Sequence, residues 1–68
     1  MSKTTYQAPM LRTLRENAGI TQEQLSTLAK VGRQTVIRLE RGEGANGLTL
    51  ARIAKALGVS REELQTEQ

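Results

Sequence analysis

Apolar residues recur along this chain with a helical period and nowhere alternate as a half-buried strand would. Leu11, Leu14 and Ala18 fall at helical spacing behind Pro9, a residue suited to a first helical position, and Gly19 stops the segment. Helix 1 is therefore predicted over about residues 9–18. Thr21 opens a second helix: Gln24, three positions on, completes a capping box, and Leu25, Leu28 and Ala29 supply the apolar face. Val36 and Leu39 begin a new stripe soon afterwards, so two short helices must meet at a tight turn around residues 30–32. Gly42, Gly44 and Gly47 mark a loop. Leu50, Ile53, Ala54 and Leu57 then repeat at i, i+3, i+4 and i+7, and Gly58 ends that helix. Ser60 with Glu63 reads as a second capping box, opening a short last helix that carries Leu64. Residues 1–7 are polar and aperiodic and read as a flexible N-terminal arm, which leaves one domain over residues 8–66. The expected fold is all-α, a compact bundle of four to five short helices.

The third stripe carries the candidate chemistry. If Val36 and Leu39 face the core, the 3.6-residue period turns Arg33, Gln34, Ile37 and Arg38 outward. Arginine can bond guanine O6 and N7 together, and glutamine can pair with adenine N6 and N7. An exposed isoleucine can cover a thymine methyl, or it can be the edge of the core stripe; both readings of Ile37 stand.

Composition narrows the alternatives. A chain of 68 residues forms one domain that buries only about 60% of its unfolded surface. Cysteine, histidine and aspartate are absent, so no disulfide framework, no Ser-His-Asp or Cys-His nucleophile and no histidine base can be built. Seven glutamates and a lone Tyr6 are poor material for an active site or a metal centre, and neither an enzyme nor a cofactor is expected. A net charge of +3 suits an anionic partner. With no long apolar run and no signal-peptide core, no membrane role is expected, and the default location is cytoplasmic and nucleoid-associated.

The segment ITQEQLSTLAKVGRQTVIRLERG over residues 20–42 resembles the phage-repressor (Cro-like, xenobiotic-response-element) helix-turn-helix family. The similarity continues through LARIAKALGVSREEL. It rests on Thr21 and Gln22, on Leu25, Leu28 and Ala29, on Val31 after the turn, on Val36 and Leu39, and on the closing Glu40, Arg41 and Gly42. The resemblance implies a lambda-repressor-like DNA-binding domain whose helix-turn-helix unit spans residues 21–41. Its first helix would cross the phosphate backbone, while the second would present its N-terminal residues to the major groove. Two positions depart from the family pattern. Lys30 stands where glycine is usual, at a cost of roughly 1 kcal/mol if the backbone there is left-handed. Gly32 replaces the usual Ser or Thr cap of the recognition helix. The loop over residues 43–47 is also short and lacks the usual proline.

Carried over residue by residue, the resemblance gives Arg33 and Gln34 the base edges, with Ile37 as an alternative reader and Arg38 reaching a base or a phosphate. Thr21 and Gln22 become candidate backbone contacts, Gln22 also bracing the recognition helix; Thr35 can reach a phosphate or bond its own backbone, and Arg12 and Arg41 are surface charges that contact the backbone only if docking brings them to it. Arg15 and Glu40 form a structural ion pair, and Leu48, Val59 and Leu64 mark the region where the family dimerises. Arg52, Lys55 and Arg61 are read as solvated. The function so implied is a transcriptional regulator, a repressor that binds a palindromic operator in double-stranded DNA as a homodimer. Two alternatives use the same helices: an antitoxin or restriction-modification controller, and a protein-interaction module that has lost DNA binding. A protein partner, a toxin or a polymerase, is left open.

Overall fold

The computed structural model describes residues 5–66. Among the described residues five helices follow one another: α1 (Leu11–Asn17), α2 (Gln22–Ala29), α3 (Arg33–Glu40), α4 (Gly47–Leu57) and α5 (Arg61–Gln65). The second packs on the third and fourth, while the first closes the bundle against the third and fifth. Leu11, Leu25, Val36, Leu39, Leu50, Ile53 and Leu64 meet in one core, each almost wholly removed from solvent.

Local chemistry sets the helix ends. The α1 helix starts two residues later than the proline suggests. Pro9 and Met10 form a turn, and the Met10 amide donates to the Leu64 carbonyl at 3.1 Å instead of starting the helix. The α2 helix has both arms of its capping box: Thr21 Oγ1 accepts from the Gln24 amide at 3.0 Å, and Gln24 Oε1 accepts from the Thr21 amide at 2.8 Å. Its far end turns on Lys30, which holds φ +57° and ψ +43° while the Val31 amide returns to the Ser26 carbonyl at 3.1 Å. The condition on which the cost at Lys30 depended is therefore met: the backbone there is left-handed. Gly32 caps α3 with extended backbone and no side-chain bond. Asn46 caps α4 through the Thr49 amide at 2.8 Å, and Gly58 ends it in the left-handed region. At α5 only half of the expected box forms. Ser60 Oγ accepts from the Glu63 amide at 3.1 Å, but the Glu63 carboxylate faces the Ser60 hydroxyl at 3.5 Å, not the backbone.

Three further expectations are corrected. Leu28 is 59% exposed, and Ser26 takes its place on the buried face of α2. Leu25 and Ala29 point at the core, with Ser26 and Leu28 on opposite flanks of them; the helix tilts toward Ser26, whose hydroxyl is satisfied by the Glu23 carbonyl at 2.7 Å. Part of the N-terminal segment is tied down, not loose. Tyr6 forms an antiparallel bridge with Ala45 through bonds of 2.8 and 3.0 Å, and the Gln7 side-chain Nε2 donates to the Gly42 carbonyl at 3.0 Å. Residues 1–4 of the expected arm lie outside the described residues. Finally, Arg61 is half-buried with its guanidinium 5.0 Å from the centre of the Tyr6 ring, where its charge meets the ring face and not bulk water.

Candidate nucleic-acid interface

The relative placement of α2 and α3 is fixed by a carboxylate at the end of α3. Glu40 Oε2 accepts from Arg15 Nε at 2.6 Å, and its Oε1 accepts from Arg15 Nη2 at 3.1 Å and from Gln22 Nε2 at 3.0 Å. The remaining guanidinium nitrogen, Nη1, donates to the Ile20 carbonyl at 2.8 Å. One group thus joins the end of α1, the α1–α2 turn, the first residue of α2 and the last of α3. The Arg15 and Glu40 side chains are only 12% and 6% exposed, so the pair is shielded from solvent in a way that surface ion pairs are not. Hydrogen bonding to Glu40 raises the Arg15 pKa above its ordinary value despite the opposing effect of burial. A raised folded-state pKa of a cation stabilises fully below the unfolded value and is lost only on strongly alkaline titration. Arg15 is charged whenever the domain is near neutrality.

With that frame set, the outer face of α3 follows from its period. Val36 and Leu39 are buried, while Arg33, Gln34 and Arg38 are exposed. Gln34 and Arg38 are four residues apart and therefore share one stripe, with Arg33 beginning the neighbouring one. The absence of a capping side chain leaves the first turn of α3 uncovered: a Cβ built on Gly32 would meet only Thr35 Oγ1, at 3.8 Å. Ile37 is half-buried but is not among the partly buried side chains that pack on the core, so it lies between its two alternatives.

The other candidates divide by exposure and bonding. Thr21 is exposed, its hydroxyl oxygen occupied by the helix cap. Gln22 is half-buried: its side-chain nitrogen donates to Glu40, and among the described residues its side-chain oxygen takes no bond. Thr35 is half-buried in the first turn of α3, and Arg41 is exposed at its C-terminal cap. Arg12 is exposed on α1 and pairs with Glu16 at 3.2 Å, a solvated contact at helical spacing.

The three apolar residues expected at a dimer interface separate. Leu48 is 62% exposed on the first turn of α4, Val59 is half-buried against the core, and Leu64 is 0% exposed. Leu64 is corrected to a core residue, because α5 folds back over α1 and α4 and spends its one apolar side chain closing the bundle. The sequence also gave no sign of the bonds that Tyr6 and Gln7 make to the loop after α3. The only local signal was an aromatic residue in an otherwise polar segment.

A family model described as helix-turn-helix matches residues 11–64, the span of all five helices up to Leu64. An uncharacterized HTH-type transcriptional regulator of Methanothermobacter thermautotrophicus is 48% identical over 50 residues, which make up 72% of this chain and 72% of that protein. No solved structure matches. Among the described residues no helix is long and apolar enough to cross a membrane.

Proposed function

The chain belongs to the helix-turn-helix family of DNA-binding transcriptional regulators, and we propose that it is a sequence-specific repressor that binds a palindromic operator as a homodimer, with α3 in the major groove. The observation that carries this reading is the first turn of α3, which projects Arg33 and Gln34 into solvent from a helix whose opposite face is buried. Those two side chains read base edges, Arg38 extends the same face one turn on, and Ile37 meets a thymine methyl at its margin. Affinity comes largely from phosphates. Thr21 and Gln22 meet the backbone at the start of α2, where free amides and the helix dipole favour an anion, and the Glu40 bond holds the Gln22 amide in place. Thr35, Arg12 and Arg41 add contacts on either side, and the cations release counterions as they bind.

In the dimer, Leu48 is the exposed anchor and Val59 lies beside the core, and Leu64 takes no part. A two-fold axis sets the recognition helices about 34–36 Å apart, one turn of DNA. Occupying such a site blocks competing proteins from it, which makes repression the simplest outcome without a cofactor. Native mass spectrometry on an operator selected from random duplexes tests the arrangement. Two chains on an approximate palindrome with half-sites about 10 base pairs apart is the expected result. One chain on a non-palindromic site at saturation contradicts it.

A further inference from the structure

Leu28 is exposed on the ridge between two surface grooves, and one of these has a charge pattern that the DNA interface does not use. The first groove, of about 480 Å³, is lined by Leu28, Ala29, Lys30, Arg52, Lys55 and Ala56. The second, of about 460 Å³, lies on the other side of Leu28 and is lined by Ile20, Glu23, Gln24 and Thr27 as well. A single exposed leucine is ordinary on a protein surface. Here it stands above an apolar floor of Ala29 and Ala56 with three cations around it and no carboxylate in the same groove. None of Lys30, Arg52 and Lys55 takes part in an ion pair among the described residues. Arg52 and Lys55 lie one turn apart on the same side of α4, and Lys30 is held by the left-handed turn at the end of α2.

We propose that this α2–α4 groove docks an acidic amphipathic helix of a partner protein, one that seats an apolar side chain against Leu28 and Ala56 and sets carboxylates opposite Lys30, Arg52 and Lys55. Charge complementarity selects the acidic partner, and the apolar floor selects a protein over a phosphate, which has nothing to bury there. A second copy of this chain fits less well. Among the described residues its other exposed large apolar side chains are Tyr6, which stacks on Arg61, and Leu48, on a helix that carries no acidic residue. The proposal does not depend on how α3 reads DNA.

The probe is a synthetic amphipathic peptide of about 15 residues, with leucines at i and i+4 and glutamates beside them. Amide chemical-shift mapping on the intact chain is expected to place it at Leu28, Lys30, Arg52 and Lys55. The peptide with lysines in place of its glutamates should not bind. Leu28→Ser and, separately, Lys55→Glu should each weaken binding about tenfold or more, as expected when a leucine anchor or a facing charge is lost. Both positions are exposed, so Leu28→Ser should melt as the parent does, Lys55→Glu should melt only slightly lower through the charge reversed in the last turn of α4, and both should remain folded and bind a selected DNA duplex. Failure of the peptide to bind overturns the proposal. So do shifts centred on Arg33, Gln34 and Arg38, or full affinity in the Leu28→Ser variant. Sedimentation showing self-association that Leu28→Ser abolishes would assign the groove to a second copy, and phosphate-dependent shifts of Lys30 and Lys55 would assign it to DNA; either also overturns it.

Discussion

Arg15 holds Glu40 through two guanidinium nitrogens, at 2.6 and 3.1 Å, and so fixes the end of α3 against α1, which begins and ends before α2. The pair is largely shielded from solvent, and removing Arg15 leaves the Glu40 carboxylate, still bonded to Gln22, without its counter-charge. Arg15→Met is expected to destabilise the fold by about 2–3 kcal/mol in urea unfolding near neutral pH. A loss under about 1 kcal/mol would class the pair with solvated surface bridges such as Arg12–Glu16.

Lys30 occupies the left-handed region, at φ +57°, where a Cβ crowds the following carbonyl. Lys30→Gly should therefore stabilise the domain by about 1 kcal/mol, seen as a higher urea midpoint with an unchanged slope. A lower midpoint would mean that the lysine side chain makes a compensating contact.

Gly32 leaves the amides at the start of α3 without a side-chain acceptor, although a Cβ there has room. Gly32→Ser should raise stability by a few tenths of a kcal/mol, by roughly the difference between serine and glycine caps. Differential scanning calorimetry on the two proteins checks the sign.

Leu64 and Leu48 should behave oppositely. Leu64→Ala should cost about 2–5 kcal/mol of folding stability, because Leu64 is wholly buried. Leu48→Glu should leave the melting curve nearly unchanged and lower the cooperativity of operator binding, because Leu48 is largely exposed. Unaltered cooperativity in the Leu48 variant would remove that residue from the proposed dimer interface.

The sequence made the helices legible where a long stripe and a local cap coincided. Leu50, Ile53 and Ala54 define one face over more than a turn, Gly58 ends that helix, and Thr21 with Gln24 needs only three residues to close a cap. It was less informative where the outcome depended on tilt or on distant partners. The spacing of Leu25, Leu28 and Ala29 defines a broad stripe but not which flank the bundle covers, and Ser26 is on the covered side. A five-residue helix with one leucine has no period, so nothing local distinguished Leu64 in the core from Leu64 on a surface. The bridge from Tyr6 to Ala45 and the placement of Arg61 join residues far apart in the chain, with no pattern at either end. In the candidate interface, the outward direction of Arg33, Gln34 and Arg38 could be derived from the burial of Val36 and Leu39. The half-buried state of Ile37 could not.

Base selection from randomised duplexes with the parent chain, Arg33→Ala and Gln34→Ala tests the central claim most directly. Both side chains are exposed, so the fold should survive either change, and thermal melts run alongside verify that. Each variant is expected to bind the parent's best site more weakly by about 1–3 kcal/mol and to lose preference at one base pair per half-site. If both variants select the parent's site with undiminished preference, the first turn of α3 does not read bases and the proposed docking is wrong.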